Sequence, residues 1–145
     1  MPRMIFVNLP VADLDASIAF YKAIGAEQNT QFSDETAAMM VFSDTIHVML
    51  LTHEKFRQFT SKRIADGHET VQVLLALSAD SREDVDAITE RALAAGGREP
   101  RPTEDHGWMY GRSFEDLDGH TWEPMWMDPA AAAGAMAQQP EAVEA

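Results

Sequence analysis

The strongest constraint on this chain is that it runs through one order of elements twice. Residues 4–11, MIFVNLPV, have the apolar, β-branched character of a strand. Asp13 is placed to cap a helix over 14–24, with Leu14, Ile18, Tyr21 and Ile24 near helical spacing, and Gly25 is a suitable stop. Three short strands are expected near 27–33, 36–43 and 46–52, separated by Ser33-Asp34 and Ser43-Asp44. A polar stretch over 53–69 reads as a linker with room for a short helix. The order then returns. TVQVLLALS (70–78) reads as a strand, and Ser81 caps a helix with Val85, Ile88, Ala92 and Leu93 at helical spacing. Gly96-Gly97 ends that helix, and strands are expected near 98–104, 108–115 and 120–127.

Strand-helix-strand-strand-strand, repeated, aligns the two halves at particular residues. Ala12-Asp13 falls on Ala79-Asp80, and Phe42-Ser43-Asp44 on Phe114-Glu115-Asp116. With one extra residue allowed in the second turn, His47 falls on His120 and Leu50 on Glu123. Element order and turn chemistry agree, which outweighs the weak residue-by-residue match. The expectation is an α+β fold of two βαβββ modules. Residues 1–64 make the first module with its linker, and residues 65–128 the second. Residues 129–145 make an Ala- and Gln-rich disordered tail, and the whole is one compact domain.

Composition narrows the chemistry. The chain has no cysteine, which removes disulfides, thiolate metal sites and a cysteine nucleophile. No apolar run approaches the length of a membrane span, and the first residues lack signal-peptide architecture, so a cytoplasmic location is expected. The formal net charge of −13 disfavours nucleic acid and anionic membranes as partners. A cationic ligand suits that charge, although an acidic surface is also an ordinary route to solubility.

Asp116-Leu117-Asp118-Gly119 invites a calcium reading, but an EF-hand loop needs glycine at its sixth position and glutamate at its twelfth. Here glycine arrives three residues after Asp116, so a turn with glycine at positive φ is expected instead. No glycine-rich loop opens a helix, and no nucleophile elbow surrounds a serine. On the strand over 120–127, Thr121, Glu123, Met125 and Met127 alternate onto one face, with His120, Trp122 and Trp126 on the other. His120 and Glu123 therefore do not share a metal on a regular strand. Nine methionines suit an adaptable pocket and serve equally as core filler.

FVNLPVADLDASIAFYKAIGAE at the start and YGRSFEDLDGHTWEPMWMD at the end resemble the vicinal oxygen chelate superfamily, which includes glyoxalases, bleomycin-resistance proteins and extradiol dioxygenases. The resemblance covers residues 4–128, with Leu117 where the family motif carries proline. It is closest to bacterial glyoxalase-like proteins. It implies two βαβββ modules whose mixed sheets curve around a cleft, often completed by dimerisation. It also implies metal ligands at four inward strand positions, two on first strands and two on fourth strands. Carried over, these are Phe6, Leu50, Val73 and Glu123, and only Glu123 can ligate. Residues 70–78 contain no His, Asp or Glu, and 4–11 offer only Asn8.

A catalytic divalent ion normally takes three protein ligands. No metal is therefore expected, and no other cofactor, although a divalent ion is kept as the disfavoured alternative. The expected site is an apolar and aromatic cleft lined by Phe6, Asn8, Val48, Leu50, Tyr110, Arg112, Thr121 and Met125, with Glu123 as the one catalytic candidate. Arg112 has three candidate partners: Glu123, a ligand carboxylate, or Glu115. The expected function is binding of a small organic molecule, in the manner of bleomycin-resistance proteins. The alternatives are a metal-dependent glyoxalase-type lyase or isomerase acting on a carbonyl, and metal-free proton transfer by Glu123. A homodimer is expected, from the family and from the apolar area of Trp122, Trp126 and Met127.

Overall fold

The computed structural model describes residues 2–137. Its first sheet contains β1 (Ile5–Val11), β2 (Glu27–Asn29), β3 (Ala37–Val41) and β4 (Ile46–Thr52), in the order β1-β4-β3-β2. Its second contains β5 (Leu74–Ser78), β6 (Glu104–Asp105), β7 (Met109–Gly111) and β9 (Thr121–Met127), in the order β5-β9-β7-β6, with β8 (Phe114–Glu115) also paired to β9. In each sheet the first strand runs parallel to the last, and the other pairings are antiparallel. Helix α1 (Leu14–Ala23) crosses over in the first half and α3 (Arg82–Ala94) in the second. The mixed α+β duplication expected from the element order is present.

Local chemistry explains the boundaries. The Asp13 carboxylate accepts from Ala16 N at 3.0 Å, and Ser81 Oγ accepts from Asp84 N at 3.0 Å, so both crossover helices start on side-chain caps. Gly25 and Gly96, at φ 109° and 105°, turn the chain after those helices in a conformation that other residues avoid. The strand expected over 70–78 begins only at Leu74, because β9 begins opposite it at Thr121 and residues 70–73 find no neighbour in the sheet. Residues 53–73 instead form a strap between the sheets, opened by the short helix α2 (His53–Phe56).

The strand expected over 108–115 is split into β7 and β8 without a change of register. Gly111 lies opposite Met125 and Phe114 opposite Trp122, so Arg112 falls opposite Pro124. Arg112 N donates to Pro124 O at 3.2 Å, but proline has no N–H to return, and the ladder lapses there. The strand expected over 98–104 is reduced to a bridge between Arg98 and Glu115, followed by β6. The tail also differs from expectation. Residues 129–137 form α4 (Pro129–Ala137), with Pro129 in the first turn and Asp128 Oδ1 accepting from Ala130 N at 3.0 Å. Alanine is the best helix former, and that intrinsic preference outweighed the missing amphipathic pattern. Residues 138–145 lie outside the described part.

One core joins the two halves. Val48, Leu50 and Leu9 of the first sheet, Phe20, Tyr21 and Ile24 around α1, and Phe114 and Trp122 of the second sheet are all buried in it. Tyr21 packs edge-on against Trp122, with ring centroids 6.1 Å apart, and Phe42 lies 5.5 Å from the same indole. Tyr21 OH donates to Asp116 Oδ2 at 2.6 Å and accepts from Trp122 Nε1 at 2.9 Å. Asp116 Oδ1 accepts from the amides of Asp118 and His120, each at 2.9 Å. Asp118 Oδ1 in turn accepts from Ala12 N at 2.8 Å. The Asp-Leu-Asp-Gly turn, with Gly119 at φ 84°, is thus the polar tie between the modules, and its carboxylates are committed to it.

Burial pushes the Asp116 carboxyl above the ordinary aspartate range, opposed by His120 and by the hydrogen bonds it accepts. A raised folded value means that the contribution of Asp116 is most favourable below the ordinary aspartate pKa. It is lost as pH rises through the folded value. Asp116→Asn is therefore expected to compare progressively better with the wild type as pH increases from about 4 towards 7. Urea unfolding of both proteins across that range measures this, and a constant difference would contradict it.

Candidate functional site

The pairing register decides which side chains can meet in a cleft. In the first sheet Phe6, Asn8 and Pro10 stand beside His47, Met49 and Leu51 on one face. The Phe6 and His47 rings stack with centroids 4.7 Å apart. Val7 and Leu9 stand beside Val48 and Leu50 on the other face, against α1. Val48 and Leu50 are fully buried there, so neither lines the cleft as expected. The cause is a one-residue slip: in a strand, such a shift turns every side chain to the opposite face.

The repeat itself supplies the corrected positions. Asn8 precedes the cap of α1 by five residues and pairs with Met49, and Ala76 precedes the cap of α3 by five residues and pairs with Glu123. Met49, not Leu50, is therefore the counterpart of Glu123. By the same count Leu74, not Val73, is the counterpart of Phe6. The four inward positions read Phe6, Met49, Leu74 and Glu123.

In the second sheet Thr121, Glu123 and Met125 share the cleft face with Glu115, as the ladder requires. Tyr110 and Arg112 do not. They share the opposite face with Trp122, Pro124 and Trp126, and turn towards α3. Tyr110 OH donates to Asp86 at 2.7 Å. Arg112 donates to Glu99 at 3.0 Å, to Asp86 at 3.1 Å and to Glu90 at 2.6 Å. Those partners, Glu99 foremost, raise the guanidinium pKa further. Both residues are removed from the cleft set, because their polar tips are satisfied by the helix behind the sheet.

Glu123 acquires a partner the sequence did not single out. Arg101 Nη2 donates to its Oε2 at 2.8 Å, while Arg101 Nη1 donates to Glu104. Glu104 also lies 3.3 Å from His106 Nε2. These carboxylates, Glu123 first, raise the pKa of Arg101. Arg101 lies between Pro100 and Pro102, which hold the segment extended as it reaches over the sheet. That Pro-Arg-Pro sequence was the one local signal for it. Glu123, Arg101, Thr121 and Leu74 line a cavity of about 310 Å³ whose cover is residues 67–71 of the strap.

The residues present do not fit a metal centre. Three of the four inward positions are apolar, and the fourth is held by a guanidinium. No group of three His, Asp or Glu among the described residues is arranged to hold an ion. The histidines are dispersed. His47 is buried under Phe6 with Nδ1 unpartnered, and His120 Nε2 lies 2.8 Å from the Pro10 carbonyl, to which it donates. His106 lies beside Glu104, and His53 and His68 belong to the strap itself.

Residues 3–123 match the glyoxalase/bleomycin resistance protein/dioxygenase superfamily. A hypothetical protein from Staphylococcus aureus, SA1046, superposes with a TM-score of 0.73 at 26% identity, covering 87% of this chain and 94% of that one. A glyoxalase-related enzyme from Fulvimarina pelagi gives 0.72 at 20% identity, over 87% and 88% of the two chains. A glyoxalase/bleomycin resistance protein/dioxygenase family enzyme from Burkholderia phytofirmans PsJN gives 0.71 at 19%, over 87% and 99%. Comparison with curated proteins gives no match. No helix among the described residues is long and apolar enough to cross a membrane. With its duplicated βαβββ order and a match running from β1 into β9, the chain belongs to the glyoxalase/bleomycin resistance protein/dioxygenase superfamily.

Proposed function

We propose that this protein binds a small organic molecule on the concave sheet faces, without the divalent ion that family resemblance implies. The observation that carries the proposal is the Arg101–Glu123 ion pair, at 2.8 Å, in a cavity that Leu74 also lines, while the other two inward positions, Phe6 and Met49, are apolar. A guanidinium on Glu123 supplies positive charge where a cation would otherwise have to sit. The Glu123 Oε1 atom is the polar anchor left for a ligand donor, with Thr121 beside it. Phe6, Asn8, Thr121 and Met125 remain the apolar and polar contacts of this site, and Glu123 orients a ligand rather than transferring its proton.

A second copy completes the cleft in this proposal. Ile5 and Phe6 on β1, and Leu74 on β5 with Val73 just before it, are exposed apolar residues at the free edges of the two sheets. Sedimentation is expected to give a dimer, and a species of 16.1 kDa would remove that part.

Metal analysis of protein purified without added metal, followed by titration with zinc, nickel and manganese, tests the central claim. The expected result is less than one ion per chain and no difference between wild type and Glu123→Gln. Stoichiometric metal lost in Glu123→Gln would overturn the proposal in favour of a metal-dependent lyase or isomerase.

A further inference from the structure

The strap over residues 53–73 carries charge of the wrong sign for its surroundings. In a chain of net charge −13, residues 53–73 hold Lys55, Arg57, Lys62 and Arg63 against Glu54, Asp66 and Glu69, a local excess of positive charge. None of the four strap cations has a carboxylate within ion-pair distance among the described residues, as is also true of Arg3, Lys22, Arg91 and Arg98, but the strap gathers four of them within nine residues. With twenty-four acidic residues in the chain, partners were available and the fold did not place them there. The field at this spot attracts anions while most of the surface repels them.

Beneath Lys62 and Arg63 lies a predominantly apolar cavity of about 450 Å³, between β1 and the beginning of β5. Leu9, Phe56, Val71, Val73 and Leu75 form its walls, and Lys62 and Arg63 stand at its border. Arg63 also borders an adjoining cavity of about 350 Å³ with Arg57, His53 and His68, so the cationic end continues past the apolar end. The cover is fixed in place by a backbone contact. Carbonyl and amide atoms of residues 67–68 lie so close to Gly119, and those of 118–119 to Gly67, that neither position has room for a Cβ. The cavity is therefore a built feature of the strap's path.

We propose that the strap cavity is a binding site for an amphipathic organic anion: an apolar body seated against Phe56 and Val71, and a carboxylate or sulfonate held by Lys62 and Arg63. Its volume falls within the range of small-molecule pockets, and its composition, apolar walls with a few charged groups at one end, is that of such sites. Guanidinium and ammonium groups without internal partners supply charge-assisted hydrogen bonds to an anion without first breaking an existing pair. This site adjoins the Arg101–Glu123 cavity, with Gly67, Thr70, Val71 and Thr121 common to both walls, but its charged end at Lys62 and Arg63 lies outside that cavity.

Octanoate and the fluorescent probe 1-anilinonaphthalene-8-sulfonate test the assignment on the full chain. Saturable 1:1 binding of the probe is expected, displaced by octanoate and not by octylammonium. Lys62→Glu and Arg63→Glu replace exposed side chains, so their folds are expected to be intact, and each is expected to weaken octanoate by at least about tenfold. Val71→Asp, at an exposed strap position, is expected to abolish binding of octanoate and of octanol alike, which locates the apolar body. Glu123→Gln is expected to leave all of these constants unchanged. Octylammonium binding as tightly as octanoate, or indifference to both charge reversals, would overturn the proposal. Loss of probe binding in Glu123→Gln would transfer the site to the other cavity.

Discussion

Trp122→Ala is expected to destabilise the fold by about 3–5 kcal/mol, the cost of emptying a large aromatic site in a packed core. Trp122 is 2% exposed. Its ring contacts Tyr21 and Phe42, and its Nε1 donates to Tyr21 OH. The mutation removes contacts between the halves, since Tyr21 of α1 and Phe42 after β3 belong to the first half and Trp122 of β9 to the second. It also removes one of the two bonds made by the Tyr21 hydroxyl, leaving that group with Asp116 alone. At roughly 2–4 °C per kcal/mol for a chain near this size, the thermal midpoint is expected to fall by the order of 10 °C. A loss below about 1 kcal/mol by urea unfolding would mean that the two modules do not share this core.

Gly119→Ala is the second large effect. A left-handed backbone costs a residue with a Cβ about 1–2 kcal/mol, and Gly119 stands at φ 84°. The added Cβ would also lie 2.4 Å from the Gly67 carbonyl carbon and oxygen, and 2.7 Å from His68 N. These are backbone atoms, so relief requires displacing the strap, at about 1–3 kcal/mol for overpacking. Loss of stability is expected to be accompanied by faster proteolysis within residues 60–70, where the strap would lift. A variant that lost stability with no change in strap protection would place the strain in the turn alone.

Much of the architecture was legible in the chain because it is written in local chemistry. Asp13 and Ser81 announce helix starts through side-chain caps, Gly25 and Gly96 announce stops, and the two halves repeat these marks in order. The turn at Asp116–Gly119 was legible for the same reason, as was the opposition of Trp122 to Glu123 on β9. Faces across strands were less so. Alternation along one strand says which residues share a side, but only the pairing register says which side of the neighbour matches it. Placing Val48 and Leu50 with Phe6 and Asn8 mixed two faces through a slip of one residue. Tyr110 and Arg112 were turned the wrong way because their pairing with Trp126 and Pro124 was not visible locally. Helix propensity in the alanine run after Pro129 was underweighted, since no apolar stripe accompanied it.

By itself the sequence determined the duplicated βαβββ order, the capped helices and the tight acidic turn. These follow from residue type and spacing within a few residues. Tertiary structure alone decided that Arg101 closes on Glu123, that Asp116 and Asp118 bind the halves together, and that the unpaired strap cations border an apolar cavity. Arg101 and Glu123 are separated by twenty-one intervening residues, and Tyr21 and Asp116 by ninety-four, so no local pattern links them. Such contacts depend on which faces the register turns inward and on where the strap is pinned by Gly67 against Gly119, and both are fixed only when the two sheets close on their common core.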